Sequence, residues 1–281
     1  TDTTTFNCTG SISIPGESRP IQCHKYPYSH GAQSLRQALE NSCNPVFVEL
    51  GIKIGKNLTY KYYDAYGFFV KTGISLSGER ENGGIFYDIN KIKPHELGTM
   101  SFGQRFTITP LQMISAISAV ANDGVLMKPK IVKSITNTDT GAVTTIEPTE
   151  VRQVISKETA EKACYMMESV VVNGTGGNGS VTGYTIGGKT GTSEVLQNTN
   201  QKDYVASFVA ISPVENTQVV LLLTLYNPTG ASHQGGTVAG PVVSQMLTEI
   251  LPYLGVPSDV EEIEEDGLIQ VPNVQNKTIT E

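Results

Sequence analysis

The spacing of hydrophobic positions changes several times along the chain, and each change predicts a new element of secondary structure. Apolar residues at helical spacing predict helices over residues 34–40, 45–51, 57–66, 110–121, 157–172 and 240–254. Runs rich in β-branched and aromatic residues predict strands over residues 184–195, 204–210 and 217–225. A short turn joins the last two runs into a hairpin, which the first run can join as a neighbour. The pattern therefore predicts an α/β fold, strictly α+β, with an antiparallel sheet flanked by helices and a mostly helical subdomain.

The run over residues 184–195 reads YTIGGKTGTSEV and carries the densest candidate chemistry in the sequence. Its first two glycines remove side chains where another group must approach the backbone closely. Lys189 supplies a cation, Thr190 and Thr192 supply hydroxyls, and Gly191 lets a ligand lie against the main chain. An edge strand of this kind can pair with a peptide-like substrate, bind its carboxylate and direct N–H groups at an oxyanion. The alternative is a glycine-kinked strand with a solvated lysine.

A second candidate motif lies at the junction of the first two predicted helices. Pro45 cannot continue a helix but begins one well, and Asn44 is a favourable cap in front of it. Ser42 and Asn44 therefore lie where two helices meet, and their side chains can point into a cleft. The alternative is that Asn44 only caps the helix and Ser42 only occupies the turn.

Composition and charge narrow the class of protein. The chain has 281 residues and a formal net charge of −7, without a basic cluster, which argues against a nucleic-acid-binding protein. The longest apolar run, residues 219–225, is far too short to span a bilayer. No signal-peptide pattern opens the sequence, so we expect any membrane anchor to lie outside it.

The chain has four cysteines, and three of them fall in its first 43 residues. Cys8, Cys23 and Cys43, with a nearby histidine, can form a tetrahedral Cys₃His zinc site. His30 is the preferred fourth ligand, because His24 adjoins Cys23 and adjacent side chains tend to point apart. The alternatives are a Cys23–Cys43 disulfide or free thiols, and either cross-link is expected to fix the loop that carries the second candidate motif. The fourth cysteine lies on a helical apolar stripe, which predicts core packing.

Two short motifs of this chain resemble the second and third catalytic motifs of penicillin-binding proteins and serine β-lactamases. They are Ser42-Cys43-Asn44 and Lys189-Thr190-Gly191-Thr192. The resemblance covers roughly residues 30–256 and is strongest to class B penicillin-binding proteins, particularly the sporulation-type members. Further segments that carry it are Ser101–Gln104, Thr107–Gln112, Ala121–Gly124, Gly187–Gly188, Gly235–Gly236 and Ala239–Pro241. Residues 271–274, Val-Pro-Asn-Val, also resemble the opening of a PASTA repeat.

The resemblance implies a serine β-lactamase/transpeptidase-like fold and a peptidoglycan DD-transpeptidase that acts in spore or septal wall synthesis. Such an enzyme cross-links stem peptides through a serine acyl-enzyme, needs no cofactor for the acyl transfer, and is inhibited by β-lactams. Asn44 is then expected to hold the substrate amide, and Ser42 to lie on the proton path to the leaving amine. Lys189 is expected to supply positive potential, while Thr190 and Thr192 bind the terminal carboxylate. A β-lactam-binding sensor and a serine β-lactamase are the alternatives.

One motif of the family does not occur in this sequence. That motif is Ser-x-x-Lys, and no serine here has a lysine three positions later. We expect it, with the nucleophile, in a segment before Thr1, and we expect the transpeptidase part of this chain to cover residues 1–257. Residues 258–269 then form an acidic linker, and residues 270–281 begin a PASTA-like repeat. An anchor outside the chain would hold the domain on the extracytoplasmic face of the membrane, among other wall-synthesis proteins.

Overall fold

Strands and helices are mixed along the chain in the computed structural model, which describes residues 1–79, 84–195 and 203–259. The strands in these ranges are β1 (Thr5–Cys8), β2 (Ser11–Ile12), β3 (Ile21–Gln22), β4 (Gly31–Ser34), β5 (Val125–Met127), β6 (Ser134–Thr136), β7 (Val143–Thr145), β8 (Glu150–Gln153), β9 (Gly187–Val195), β10 (Asp203–Ser212) and β11 (Val219–Tyr226). The helices are α1 (Leu35–Glu40), α2 (Asn44–Ile54), α3 (Lys56–Ala65), α4 (Pro94–Met100), α5 (Pro110–Ala121), α6 (Lys157–Asn173), α7 (Gly235–Val238) and α8 (Gly240–Tyr253). This mixture confirms the predicted α+β class.

A three-stranded antiparallel sheet lies at the centre of the structure, with the strand order β11-β10-β9. Lys189 of β9 lies opposite Val209 of β10. The predicted hairpin and its neighbouring strand are therefore confirmed, although β9 begins at Gly187. Tyr184 forms a short antiparallel bridge with Val181 instead of extending the strand. Within the described residues β9 is an edge strand, so one side of its backbone is not covered by another strand.

The side chains of β10 alternate between two layers of helices, as the two-residue period of a strand requires. Phe208 lies in one apolar cluster with Leu247 of α8. Val209 points to the opposite face and lies in a second cluster with Ile117 of α5 and Cys164 of α6. The prediction that helices cover both faces of the sheet is confirmed, and Cys164 is a core residue, as its helical stripe predicted.

Core packing, not a ligand, explains the two glycines that begin β9. A Cβ atom on Gly188 would lie 2.8 Å from a ring carbon of Phe208, and one on Gly187 would lie 2.8 Å from a side-chain carbon of Ile211. Such distances are too short for carbon atoms in contact, so a methyl group at either position would displace a buried side chain. The two glycines do allow a close approach to the backbone, but the groups that approach are the core side chains of Phe208 and Ile211.

A mostly helical region beside the sheet carries the second candidate motif, Ser42 and Asn44. Helices α2 and α4 pack together there, and the hairpin of β2 and β3 packs on α2. Gly98 of α4 fits tightly between Ile14 and Val48 of this region, since an added Cβ atom would lie 3.0 and 3.1 Å from their side chains. The hydrophobic pattern did not predict α4, because a helix of seven residues with an internal glycine has only a weak periodic signal.

The acidic linker and the PASTA-like segment that the sequence predicts fall almost wholly outside the described residues. Up to residue 259 the chain still packs on the domain, because the Ser258 hydroxyl and the Asp259 backbone N–H both donate to the Gly183 carbonyl, at 3.1 and 2.7 Å. The domain boundary at residue 257 stays a prediction. No helix in the described ranges is long and apolar enough to cross a membrane.

Gly188→Ala is expected to lower the free energy of unfolding by about 1–3 kcal/mol, because the added methyl group overpacks against Phe208. Urea unfolding followed by circular dichroism measures the difference. Gly230→Ala is the matched control, since a Cβ atom there meets nothing within 4 Å, and its effect should stay within about 0.5 kcal/mol. Equal effects of the two substitutions would contradict this account of the packing.

Candidate active site

A cleft with a volume of about 640 Å³ lies between the helical region and the edge of the sheet. The two predicted motifs line it together: Ser42 and Asn44 come from the helical side, and residues 189–192 come from β9. Several residues that were not predicted to belong to the cleft also line it, notably His24, Phe102, Asn178, Tyr204, His233 and Gln234. The cleft therefore joins segments that lie more than a hundred residues apart in the chain.

A hydrogen bond connects the two motifs directly. Lys189 Nζ donates to Ser42 Oγ at 3.0 Å, across 147 residues of sequence. The same ammonium group donates to the Thr190 carbonyl at 3.0 Å and lies 3.4 Å from Thr190 Oγ1. Three oxygen atoms thus surround the lysine head, and the serine hydroxyl is held in the cleft by a cationic donor.

Burial lowers the pKa of Lys189 from its ordinary value of 10.5 to about 8. The free cleft therefore contains an ammonium group below about pH 8 and a neutral amine above it. A bound anion would offset the cost of burying this charge, because an opposite charge at close range favours the protonated lysine. The electrostatics of the cleft thus favour a ligand with a carboxylate.

The turn between α1 and α2 places Ser42 and Asn44 differently from the sequence prediction. Cys43, not Asn44, is the N-cap residue of α2, so the prediction of an Asn44 cap is wrong. Because Asn44 is the first helical residue, its side chain is free to donate through Nδ2 to the Gln22 carbonyl at 3.2 Å. Ser42 has a φ of 49°, in the left-handed region. The amide of Asn44 and the hydroxyl of Ser42 both face the cleft.

The C-terminal end of the β9 motif is fixed by the start of α7. Thr192 Oγ1 accepts a hydrogen bond from the Gly235 backbone N–H at 3.0 Å and donates to Gln234 Oε1 at 3.4 Å. Gly235 must lack a side chain here, because a Cβ atom would lie 2.2 Å from the Gly191 carbonyl oxygen. The paired glycines at this position were a signal in the sequence, but their contact with Thr192 required the structure.

A stacked pair of aromatic rings forms one rim of the cleft. The rings of Tyr204 and His233 have centroids 3.8 Å apart and an interplanar angle of 12°. The sequence predicts only a strand position for Tyr204, and His233 belongs to none of the predicted motifs. No local motif marks this pair, because one ring lies on β10 and the other in the loop before α7.

The four predicted metal ligands converge on one point behind the cleft. The Sγ atoms of Cys8, Cys23 and Cys43 and the nearest ring nitrogen of His30 all lie within 4.8 Å of one another. Cys23 Sγ and His30 Nδ1 are 3.3 Å apart. All four cysteines of the chain are described, and all are free thiols, so the Cys23–Cys43 disulfide that the sequence analysis kept as an alternative is not formed in this structure.

Backbone N–H groups lie near the three sulfur atoms of this cluster and act on the pKa values of its thiols. Burial raises the pKa of Cys43 to about 12 and also raises that of Cys23, although the nearby backbone N–H groups of Val46 and Lys25 act in the opposite direction. Burial also acts to raise the pKa of Cys8, but the nearby backbone of His30 and Gly10, with the two other cysteines, outweighs it and holds the pKa below its ordinary value. Such donors stabilise thiolates, which are the form of cysteine that binds metals.

The buried side chain of Gln33, beside Cys43, also favours a thiolate at that cysteine. Gln33 is almost fully buried, and its Nε2 has no hydrogen-bond acceptor among the described residues. It lies close to the Cys43 sulfur and opposes the rise in the pKa of that thiol that burial causes. A thiolate at Cys43 would give this donor a charged acceptor, so the surroundings of the cluster fit bound metal better than neutral thiols.

Comparison with known proteins agrees with this arrangement. The family model described as the penicillin binding protein transpeptidase domain matches residues 1–248. Stage V sporulation protein D of Bacillus subtilis is 38% identical over 261 residues, which are 90% of this chain and 40% of the relative. The probable peptidoglycan D,D-transpeptidase PenA of Neisseria gonorrhoeae is 29% identical over 244 residues, which are 86% of this chain and 39% of the relative.

Solved structures have the same fold. The crystal structure of penicillin-binding protein 3 of Mycobacterium tuberculosis, complexed with aztreonam, aligns with a TM-score of 0.79 and 25% identity over 92% of this chain and 59% of that one. The chain thus spans about two fifths of the length of the two curated relatives. Because the family model covers most of the sequence, this chain belongs to the penicillin-binding protein transpeptidase domain family.

Proposed function

We propose that this chain contributes the substrate-binding part of a peptidoglycan D,D-transpeptidase, which cross-links stem peptides through a serine acyl-enzyme. The observation that carries the proposal is the 3.0 Å hydrogen bond from Lys189 Nζ to Ser42 Oγ, which joins the two motifs in one cleft. The relatives support the same activity, since PenA bears the name of a probable peptidoglycan D,D-transpeptidase and the mycobacterial structure holds a β-lactam.

The proposed reaction is acyl transfer to and from a serine. The serine hydroxyl attacks the carbonyl of the D-Ala-D-Ala amide bond, an ester forms, and the terminal D-Ala leaves as an amine that takes up the serine proton. An amine of a second strand then attacks the ester, forms the cross-link and returns a proton to the serine. The Ser-x-x-Lys motif that carries this serine in the family does not occur in this sequence. We assign substrate binding and proton transfer to the residues that line the cleft.

The residues of the two motifs have proposed roles that follow from their chemistry. Lys189, as a cation, binds the terminal carboxylate of the stem peptide with the hydroxyls of Thr190 and Thr192. Ser42 lies on the proton path to the leaving amine, because its hydroxyl already accepts from Lys189. Asn44 holds the substrate amide. The Thr192 backbone N–H is one oxyanion donor, and loss of such a donor typically costs about 3 kcal/mol of transition-state stabilisation.

A β-lactam sensor and a serine β-lactamase would use the same cleft and differ in the fate of the acyl-enzyme. A sensor keeps the acyl group, a β-lactamase passes it to water, and a transpeptidase passes it to an amine. Incubation of the whole gene product with a stem-peptide donor and a free D-amino acid distinguishes them by the product. We expect the exchanged peptide; hydrolysis alone or a permanently acylated protein would contradict the proposal.

The setting of the proposed activity is spore or septal wall synthesis on the extracytoplasmic face of the cell membrane, with other wall-synthesis proteins as partners. The similarity to stage V sporulation protein D supports the sporulation part of this proposal. The natural ligands are then peptidoglycan stem peptides, and β-lactams are inhibitors.

Lys189→Met is expected to lower the second-order rate constant for acylation by fluorescent penicillin about 10- to 100-fold, because a charged hydrogen bond to the ligand carboxylate is lost. Gel fluorescence over time, on the whole gene product, measures the rate. Lys157→Met is the matched control, since that side chain is 64% exposed on α6 and pairs with Asp123. The proposal fails if the unmodified gene product is not labelled or if both substitutions slow labelling equally.

The same rate constant is expected to fall as the pH rises through about 8, because Lys189 of the free site then loses its proton. The rate constant falls with rising pH because the ammonium group that binds the carboxylate is present only below the lowered pKa of Lys189. Lys189→Arg keeps its charge at higher pH, so its rate constant should not fall over this range, whatever its absolute size. A rate constant of the unmodified protein that stays level from about pH 7 to 9.5 would rule out a cationic Lys189 in binding.

We also propose that Cys8, Cys23, His30 and Cys43 bind one structural zinc ion. In a tetrahedral site with Zn–S bonds of about 2.3 Å the ligand atoms lie about 3.8 Å apart, and the present spread of up to 4.8 Å requires only a small contraction. The lowered pKa of Cys8 and the buried Gln33 amide without an acceptor favour thiolates at this point, and a bound cation would offset the burial that raises the pKa values of Cys23 and Cys43. An ion there would join the ends of β1 and β3, the start of β4 and the cap of α2.

Purified protein is expected to contain about one zinc per chain by elemental analysis. Cys23→Ser should lose the metal, because three ligands remain, whereas Cys164→Ser should keep it, because this buried cysteine lies in another cluster. Cobalt in place of zinc should give the intense absorption of thiolate ligands. Metal-free protein with four reactive thiols, or a Cys23–Cys43 disulfide found by mass spectrometry, would contradict the zinc site.

A further inference from the structure

Two tripeptides of the N-terminal region face each other, and each has a cysteine at its centre. They are Gln22-Cys23-His24, at the end of β3, and Ser42-Cys43-Asn44, at the start of α2. Both cysteines are buried, and their sulfur atoms belong to the same cluster of four ligands. The flanking residues of the second tripeptide and His24 line the substrate cleft instead. In each tripeptide the central side chain thus lies on the buried side, while at least one flanking side chain lies on the cleft side.

The flanking residues of the two tripeptides contact each other on the cleft side. Asn44 Nδ2 donates to the Gln22 carbonyl at 3.2 Å. The imidazole of His24 lies beside the backbone of Ser42 and lines the same cleft. The first tripeptide thus holds Asn44 through the Gln22 carbonyl and places the His24 ring next to Ser42.

Ser42 needs such support because its backbone is strained. A φ of 49° places it in the left-handed region, which a residue other than glycine adopts at a cost of about 1–3 kcal/mol unless its surroundings determine the conformation. The surroundings here are His24, the hydrogen bond from Lys189 and the buried neighbour Cys43. Two of these three restraints depend on the positions of the cysteines.

We propose that a metal ion shared by Cys23 and Cys43 sets the separation of the two tripeptides and thereby the positions of Ser42 and Asn44 in the cleft, with His24 as a positioning residue. This inference rests on the proposed function and on the proposed zinc site. It makes transpeptidation depend on zinc occupancy: the metal does not touch the substrate, but without it the wall formed by residues 22–24 no longer holds the Ser-x-Asn motif in place.

A metal needed only for stability would have a different effect on kinetics. Loss of such a metal lowers the fraction of folded protein, and therefore the amplitude of penicillin labelling, while the folded molecules react at an unchanged rate. A metal that positions Ser42 and Asn44 changes the rate constant itself. The single-turnover rate constant for acylation by fluorescent penicillin is therefore the diagnostic quantity.

The experiment compares the whole gene product with and without zinc. Removal of the metal by a chelator is expected to lower the acylation rate constant about tenfold or more, with unchanged far-UV circular dichroism, and added Zn²⁺ should restore it. Cys23→Ser should behave as the metal-free protein, and Cys23→His, which can still bind zinc, should recover part of the rate. Cys164→Ser is the matched control and should keep both metal and rate.

A second pair of substitutions tests the positioning role of His24. His24→Ala is expected to keep one zinc per chain and yet lower the acylation rate constant about fivefold, because the ring that lies beside the left-handed backbone of Ser42 is lost. Tyr28→Ala is the control: this side chain is in the same loop and is 74% exposed, so neither quantity should change. Unchanged rates in His24→Ala would remove His24 from the proposal.

The possible failures are distinguishable. If the unmodified protein is not acylated by penicillin, the proposed function is wrong and this inference falls with it. If the protein is acylated but contains no metal, the zinc site and the inference are wrong while the proposed function stands. If it is acylated, contains zinc and reacts at the same rate after the metal is removed, only this inference is overturned.

Discussion

The hydrogen bond between Lys189 and Ser42 is the contact on which the rest of the cleft depends. It buries a positive charge, and burial alone favours the neutral amine, as the lowered pKa of Lys189 records. Three nearby oxygen atoms, one from Ser42 and two from Thr190, compensate for part of the lost solvation. The lysine is buried only because the sheet and the helical region lie together, so this contact couples their relative position to the electrostatics of the site.

Close packing in the core fixes the position of the edge strand β9. Phe208, on the neighbouring strand, fits against Gly188 and Gly179, where Cβ atoms would lie 2.8 and 2.3 Å from its ring. This packing sets how deeply β9 lies on the helical layer. On the cleft side, Gly235 approaches the Gly191 carbonyl closely and fixes the end of the same strand. Tight contacts at both ends therefore hold the Lys189–Thr192 segment, as the proposed acyl transfer would require.

The sequence predicted the class of fold and the main motifs well, because both depend on local patterns. The spacing of apolar residues located α5, α6, α8 and the strands of the sheet within a few residues, and the motif residues Ser42 and Lys189 do line one cleft. The predicted ligands of the cysteine cluster converge as well, although the bound ion stays a proposal.

The rest of the site could not be predicted, because it consists of contacts between distant segments. The bond from Asn44 to the Gln22 carbonyl, the place of His24 beside Ser42 and the Tyr204–His233 stack have no signature in any short stretch of sequence. The prediction of an Asn44 cap failed for a related reason: Asn44 is a good cap by propensity, but its side chain has a tertiary partner.

The left-handed backbone at Ser42 has a consequence for how this position can vary. Glycine, asparagine and aspartate adopt such a conformation most easily, yet none of them carries a hydroxyl group. A substitution that relaxes the main chain therefore removes the oxygen that meets Lys189, and threonine, which keeps the oxygen, is β-branched and increases the strain. The position therefore has almost no neutral replacements, and sequence drift is expected to alter the surrounding cleft before it alters this serine.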